Sequence, residues 1–400
     1  MRRKMLSIAL LAMLALGFSE KASAKDIAID ETNFPDPGLR EYVQTAYDTN
    51  KDGVLSGEEN AAAKEMNVYF NADPNLMISI REDYYYDYYN LGKWKVHKEF
   101  PCDQIAENPL RPHYEAYVVG SYPWKCVVNQ PVKSWKGLEK LTSLGWMDIG
   151  GAVPKNLEIK GVRTLYGLTI GGDTSDFVSV SVKKCPKFRY LTFARTYKLK
   201  KIVLSKDLKD LREIRQREYF DSSVAGQDTR RKKPEIVIGE ASKLKEINIW
   251  QKPIKNLQVD YSSLKRLGKM TLLMDNSKED MDLSSCKNLY ALTVLGKCHK
   301  IILPNKKLFA EKSDGDDNWR YDPDILVSFG PKDGPKILDL SKSTRADDYA
   351  DQYIFPELMR KLKKGKVRTK TLIVSRKMYD NRWNTLRLLR KKGIKIQIKG

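Results

Sequence analysis

Apolar residues along the chain follow three rhythms in turn. Near the start, Leu39, Tyr42, Val43 and Ala46 fall at i, i+3, i+4 and i+7, the spacing of one helical face. Asp36 can cap that helix and Pro37 suits its first turn. In the middle, a short apolar-x-x-apolar-x-apolar unit recurs, anchored at Leu144, Leu165, Phe188, Leu211, Leu244, Leu267 and Leu289. Near the end, the pattern predicts a helix over 355–362, a strand over 371–374 and a helix over 378–389. A last strand follows, on the alternation of Ile394, Ile396 and Ile398.

The middle rhythm is a true repeat. Residues 180–193 align without gaps on 281–294, including Cys185 on Cys286, and the seven anchors are 21, 23, 23, 33, 23 and 22 residues apart. Five of the six steps lie in the range of about 20–29 residues that leucine-rich repeats use. The long step predicts a polar insertion within 218–233, and Gln216 breaks the last apolar position of its unit. Units that short cannot bury their leucines alone, so each must stack on the next. The expected fold class is α/β: a leucine-rich-repeat solenoid over 132–330, a helical N-terminal cap over 25–66, an aromatic-rich insertion over 67–131 and a basic α/β C-terminal cap over 331–400. Between the buried positions, Trp146, Asp148, Thr169, Tyr190, Thr192, Glu213 and Arg215 face outward in the first repeats, and Glu246, Asn248, Trp250, Lys269, Thr271 and Thr293 in the later ones. The threonines suit exposed strand positions by propensity alone. Trp146, Tyr190 and Trp250 are the ligand-contact candidates, because exposed aromatics are enriched where binding energy concentrates.

Two features of the first sixty residues concern compartment and metal. Arg2, Arg3 and Lys4 precede a 14-residue uncharged, mostly apolar run and the small residues Ala22-Ser23-Ala24. That is the pattern of a secretory signal peptide cut near Ala24, too short to span a bilayer. No later stretch has the length of a membrane span. Residues 48–59 then match the twelve-residue calcium loop of an EF-hand. Asp48, Asn50 and Asp52 offer side-chain oxygens at positions 1, 3 and 5. Gly53 permits the turn, Val54 offers its carbonyl, Ser56 binds through water and Glu59 closes the site at position 12. Calcium is the expected cofactor.

The insertion 67–131 holds 13 Phe, Trp and Tyr, densest around Tyr85 and Tyr88. Those tyrosines suit either a sugar-stacking platform or a small satellite core that closes the open end of the repeats. Cys102 and Cys126 are the best disulfide candidates in an oxidising compartment, whereas Cys185 and Cys286, four repeats apart, are too distant to bridge. No zinc-binding His pair, nucleophile elbow or phosphate-binding glycine loop occurs, so no catalytic residues are predicted and the protein is expected not to be an enzyme.

Charge sharpens the division. The formal net charge is +21 over 400 residues. Residues 25–131 carry −8 and residues 132–400 carry +26, with 16 Lys and Arg against one acid, Asp380, from residue 360 onward. A body of that sign fits an anionic polymer of the cell envelope, whereas nucleic acid does not suit a secreted chain.

The opening of the first repeat, Gly137-Leu138-Glu139-Lys140-Leu141-Thr142-Ser143-Leu144, resembles bacterial internalin-type leucine-rich repeats. Residues 33–59 resemble the N-terminal cap of secreted bacterial leucine-rich-repeat proteins that carry one EF-hand-like loop, and the Cys185/Cys286 column is similar to theirs. The resemblance implies a secreted or cell-surface binding or adhesion protein with an extracellular protein or glycan partner. The long insertion and several degenerate repeats depart from the family pattern. A structural envelope protein held to anionic polymer by its basic surface is the alternative, and a carbohydrate-active enzyme a weaker one.

Overall fold

The computed structural model describes residues 26–70, 130–304 and 333–400, apart from 152, 172–176, 194–195, 197, 217–232, 277 and 343–353; it also gives the backbone of six short strands within 95–128 and 325–327. The predicted signal peptide 1–24, Tyr85, Tyr88, Cys102 and, apart from Lys233, the predicted insertion within 218–233 lie outside the described residues, as do the side chains of Cys126 and Trp250.

The chain begins with β1 (Ile27–Ala28), helix α1 (Pro37–Ala46), β2 (Val54–Leu55), helix α2 (Gly57–Ala62) and β3 (Glu65–Phe70). Asp36 caps α1 as expected, its carboxylate accepting from the Leu39 amide at 3.0 Å. Leu39, Tyr42 and Val43 are buried, but Ala46 is exposed and Tyr47 takes its place in the core. This segment, expected as a helical cap, is therefore mixed rather than helical: the stretch after α2 is a strand. The alternation in β3 buries Met66 and Val68, which a helix would not place on one face.

Five short strands follow: β4 (Lys95–His97), β5 (Ile105–Glu107), β6 (Glu115–Val119), β7 (Tyr122–Trp124) and β8 (Cys126–Val128). β4 to β7 form an antiparallel sheet of their own, while β8 pairs with β3.

From residue 146 to 275 the chain alternates between two parallel sheets. β9 (Trp146–Gly151), β11 (Gly167–Ile170), β13 (Tyr190–Phe193), β15 (Glu213–Gln216), β17 (Glu246–Ile254) and β19 (Lys269–Asp275) are successive neighbours in a large sheet. β10 (Asn156–Lys160), β12 (Ser179–Lys183), β14 (Lys201–Leu204), β16 (Glu235–Ile238) and β18 (Asn256–Gln258) form a second sheet in the same order. Alternate residues of both bury: Leu168, Leu191, Ile214 and Ile247 from one, Leu157, Val180, Ile202 and Ile236 from the other. Two rows of apolar side chains facing a common interior explain why short strands suffice. Each fully buried Leu or Ile contributes about 1.5–3 kcal/mol.

Seven successive strands of the large sheet, from the one opening at Trp146 to the one opening at Ala291, are entered by the same turn. The buried residues Leu141, Val162, Cys185, Leu208, Ala241, Leu264 and Cys286 each accept, through their carbonyls, the amide three residues on, at 3.0 to 3.3 Å. Those amides belong to Leu144, Leu165, Phe188, Leu211, Leu244, Leu267 and Leu289, the anchors read from the sequence, all buried. The 33-residue step does not break the array, because β15 and β17 pair directly, Glu213 opposite Glu246.

β20 (Asp280–Asp282), β21 (Ala291–Ile302), β22 (Ile325–Val327) and β23 (Gly334–Asp339) continue the large sheet. Helix α3 (Phe355–Lys364), β24 (Thr371–Ser375), helices α4 (Arg376–Asn381) and α5 (Trp383–Lys391), and the edge strand β25 (Lys395–Lys399) complete it. The single helix expected over 378–389 is two, broken where Arg382 leaves helical geometry at φ −121°, ψ 23°. The result is a mixed α/β chain with mostly parallel sheets and few helices.

Candidate functional site

The candidate residues fall in two places, the loop after α1 and the outward face of the large sheet.

The loop is held by its own acidic side chains. Asp48, nearly buried, accepts from the amides of Asp52 at 3.2 Å and Gly53 at 3.0 Å. Asn50 Oδ1 accepts from the Asp52 amide at 3.1 Å, and Asp52 Oδ1 from the Val54 amide at 2.8 Å. Gly53 sits at φ 79° with open space around it, so glycine serves its backbone conformation here. β2 then pairs antiparallel with β1. Glu59 closes the loop from the other end. Its Oε1 accepts from the amide and hydroxyl of Thr49, both at 2.7 Å, and its Oε2 from the amide and hydroxyl of Ser56, both at 2.9 Å. The Ser56 hydroxyl accepts from the Glu59 amide in return, a capping box on α2.

Those donors, the Thr49 hydroxyl foremost, pull the Glu59 pKa down from 4.5 to about 2. Because the folded value is the lower one, the carboxylate stabilises the fold above pH 4.5 and loses that effect as pH falls toward 2. Glu59→Gln is expected to lower the melting temperature at pH 7 and to flatten its decline between pH 4.5 and 2, as acid-titration circular dichroism would record.

The side-chain donors of the loop are all oxygens, the type hard divalent cations take. Glu59 is turned to Thr49 and Ser56, and among the described residues no three His, Cys, Asp or Glu side chains are grouped as for a metal.

On the sheet face, Trp146 opens β9 and Tyr190 opens β13, with Gly167 of β11 in register between them. A Cβ on Gly167 would stand 2.0 Å from the Trp146 ring, so the glycine lets the indole lie over the strand. The ring centroids of Trp146 and Tyr190 are 6.4 Å apart. Tyr166, one residue before β11, joins them at 5.6 Å from Trp146 and covers Gly145. These three rings form a half-exposed aromatic cluster. Tyr166 was not among the residues singled out from sequence; the signal was the pair Gly145 and Gly167, one repeat apart beside bulky neighbours. The same arrangement returns further along, where Tyr290, 58 % exposed, covers Gly268.

Between the two lie paired charges. Arg215 reaches Glu213 at 3.1 Å and Glu246 at 2.8 Å, and Lys269 stands 4.0 Å from Glu246. Asp148, Thr169, Thr192, Arg215, Asn248, Thr271 and Thr293 share one row of the register.

Cys185, Cys286 and Cys298 are free and buried, their thiols pushed up by burial to about 11, 12 and 12. Protonated and inaccessible, they serve as small core residues. Cys298 and His299 point to opposite faces: the thiol is buried, while the His299 ring is partly exposed with its Nδ1 2.6 Å from Asp280.

No protein-family model matches the chain, and no curated protein matches it. Among solved structures, the internalin InlF of Listeria monocytogenes is 12% identical, covering 94% of this chain and 94% of its own, at a TM-score of 0.20. The functional domain of InlJ from the same organism, which includes a cysteine ladder, is 11% identical, covering 81% of this chain and 70% of its own, at a TM-score of 0.20. At these values neither likeness bears on the fold or the function. Among the described residues no helix is long and apolar enough to cross a membrane.

Proposed function

We propose that this chain is a secreted or cell-surface leucine-rich-repeat protein that binds an extracellular protein or glycan, with one calcium-binding EF-hand-type loop. The observation that carries the reading is the cluster of Trp146, Tyr166 and Tyr190 on the outward face of the large sheet. Three half-exposed rings, two of them seated over glycines, form a rigid surface with little side-chain entropy left to lose on binding. The repeated turn and the alternation between two sheets support the solenoid reading, in which strands present side chains at fixed spacing. A leader that matches a signal peptide supports secretion.

Glycan and protein arrays probed with the mature protein test this. An array-selected ligand is expected to lose about tenfold or more in affinity on Trp146→Ala, roughly 1.4 kcal/mol or more, with Tm nearly unchanged. Retained affinity would remove the face from the account, and measurable turnover of a glycan would favour an enzyme instead.

For the loop, Asp48, Asn50, Asp52, Ser56, Glu59 and the Val54 carbonyl would hold the calcium ion. The ion would cross-link the loop, in place of part of the hydrogen bonding that now engages Glu59. Calorimetric titration is expected to show saturable binding near about 0.1–1 mM, the range of extracellular modules, and a raised Tm. A flat titration removes the metal from the account.

A further inference from the structure

The seven turns described above each place two residues, exposed or partly so, between two buried ones. In six consecutive turns, from residue 162 to 289, at least one of those two residues is a cation, and in the turn 264–267 both Lys265 and Arg266 are. Arg163, Lys187, Lys209, Lys243, Lys265 and Lys287 are all exposed. The turns share one hydrogen bond, between residues i and i+3, so their tips repeat in register. Neighbouring strands lie about 4.8 Å apart, which makes the row roughly 24 Å long with at least one cation per step.

A second row runs beside it. The residue just before each strand donates its amide to the equivalent residue one strand earlier, at 2.7 to 2.9 Å, from Tyr166 onward. In order, those residues are Tyr166, Arg189, Arg212, Lys245, Gly268 and Tyr290. Exposed tyrosines thus stand at both ends and three cations between them.

The rows are poorly neutralised. Asp210 is the one acid at the turn tips, and it pairs with Lys243 and Arg189. Asp207 and Glu240 lie further back in their turns, Asp207 accepting from the amide of Lys184 and the hydroxyl of Ser205. No described acid forms a salt bridge with Arg163, Lys187, Lys209, Arg212, Lys245, Lys265 or Lys287, although other cations on this sheet are paired. Like charges repeated at strand spacing repel one another, and among the described residues Asp210 relieves that cost only locally, at Lys243, Arg189 and Arg212.

We propose that this edge of the array is a binding strip for a linear anionic polysaccharide, one acidic group meeting each turn. A line of cations one turn wide fits a single extended polymer, whereas a membrane surface presents a plane. Single-stranded nucleic acid is held by aromatic rings interleaved with the cations. Here no aromatic stands between Tyr166 and Tyr290 in either row, which favours a sugar polymer whose acidic groups alone are read. The strip is separate from the ring cluster as a site, shares only Tyr166 with it, and does not depend on the reading of that face.

The test uses the full mature protein with a heparin-derived dodecasaccharide, measured by calorimetry at about 50 and 200 mM salt. Tight binding at low salt that weakens steeply at high salt is expected. The exposed triple variant Lys209→Glu, Lys265→Glu, Lys287→Glu should lose about tenfold or more in affinity with an unchanged circular dichroism spectrum. A matched variant on the basic C-terminal helix, Arg387→Glu, Arg390→Glu, Lys391→Glu, should bind as the parent does. Equal loss in both variants, or loss only in the helix variant, overturns the strip, because attraction would then be general or seated elsewhere. Stronger binding of an oligothymidine or of phosphatidylglycerol vesicles than of the dodecasaccharide overturns the assignment to polysaccharide. Loss of array binding on Trp146→Ala leaves this outcome unaffected, so the two readings fail independently.

Discussion

Replacing Gly151 by alanine is expected to cost about 3 kcal/mol or more, a larger effect than any surface change elsewhere on the sheet. Gly151 ends β9 opposite Phe70 of β3, at φ 80°. A Cβ there would stand 2.0 Å from the Phe70 carbonyl oxygen and 2.8 Å from its amide nitrogen. Both are backbone atoms in a paired strand, so neither can step aside as a side chain would. β3 would have to separate from β9, which exposes Met66, Val68 and Phe70. Gly53→Ala separates the two causes, since that position has a similar φ of 79° but open space around it. It should cost only about 1–2 kcal/mol, the penalty of the left-handed backbone itself. Thermal denaturation of both variants, with hydrogen exchange of 65–70, reads the difference. Equal losses would mean that β3 is not packed against β9 in this register.

Asp339 carries the second large effect. Its carboxylate is fully buried at the end of β23 and accepts from the amide of Ser341 at 3.0 Å and its hydroxyl at 2.6 Å. Lys399 of β25 approaches to 3.1 Å and Lys300 of β21 to 3.4 Å, so one acid ties together three strands of the large sheet. Burial alone would raise its pKa; the Ser341 hydrogen bonds and Lys399 outweigh burial and hold it below the ordinary 3.8. Asp339→Ala removes every one of these bonds and is expected to cost about 2–4 kcal/mol. The cost stays below that of stranding a buried charge, because both lysines reach water. With a lowered folded pKa, the stabilisation is present above pH 3.8 and fades as pH falls through the folded value. Denaturant unfolding of parent and Asp339→Asn should therefore differ at pH 7 and converge in acid. A gap that persists in acid would assign the effect to packing rather than charge.

Much of the repeat architecture was legible because one turn recurs. Every anchor leucine or phenylalanine is buried, and most of the residues placed outward are partly exposed, but Asp148 and Thr192 are themselves buried. The second sheet was harder to see. Its strands, such as 201–204 and 235–238, alternate as strands do, but alternation names no partner, and pairing is set by contacts far apart in sequence. β3 was missed because the alanines at 61–63 prolong the helical signal into it. The break at Arg382 carries neither proline nor glycine, so nothing in the sequence marks it. In the loop 48–59 the EF-hand-like residue pattern was readable, whereas the engagement of Glu59 by Thr49 and Ser56 was not, since it depends on the closed backbone. Trp146 and Tyr190 were found as single exposed aromatics. That Tyr166 joins them, and that the turn cations align, follows only once strands 21 to 33 residues apart are known to be neighbours.

The central claim is that the sheet face bearing Trp146, Tyr166 and Tyr190 recognises an extracellular ligand. Hydrogen–deuterium exchange of the mature protein, saturated with an array-selected partner, tests it most directly. The account predicts new protection at 145–146, 166–170 and 190–193, with the loop 48–59 and helices α3 to α5 unchanged. Protection confined to the loop or to those helices, with the strands of the face exchanging as in the free protein, would contradict it.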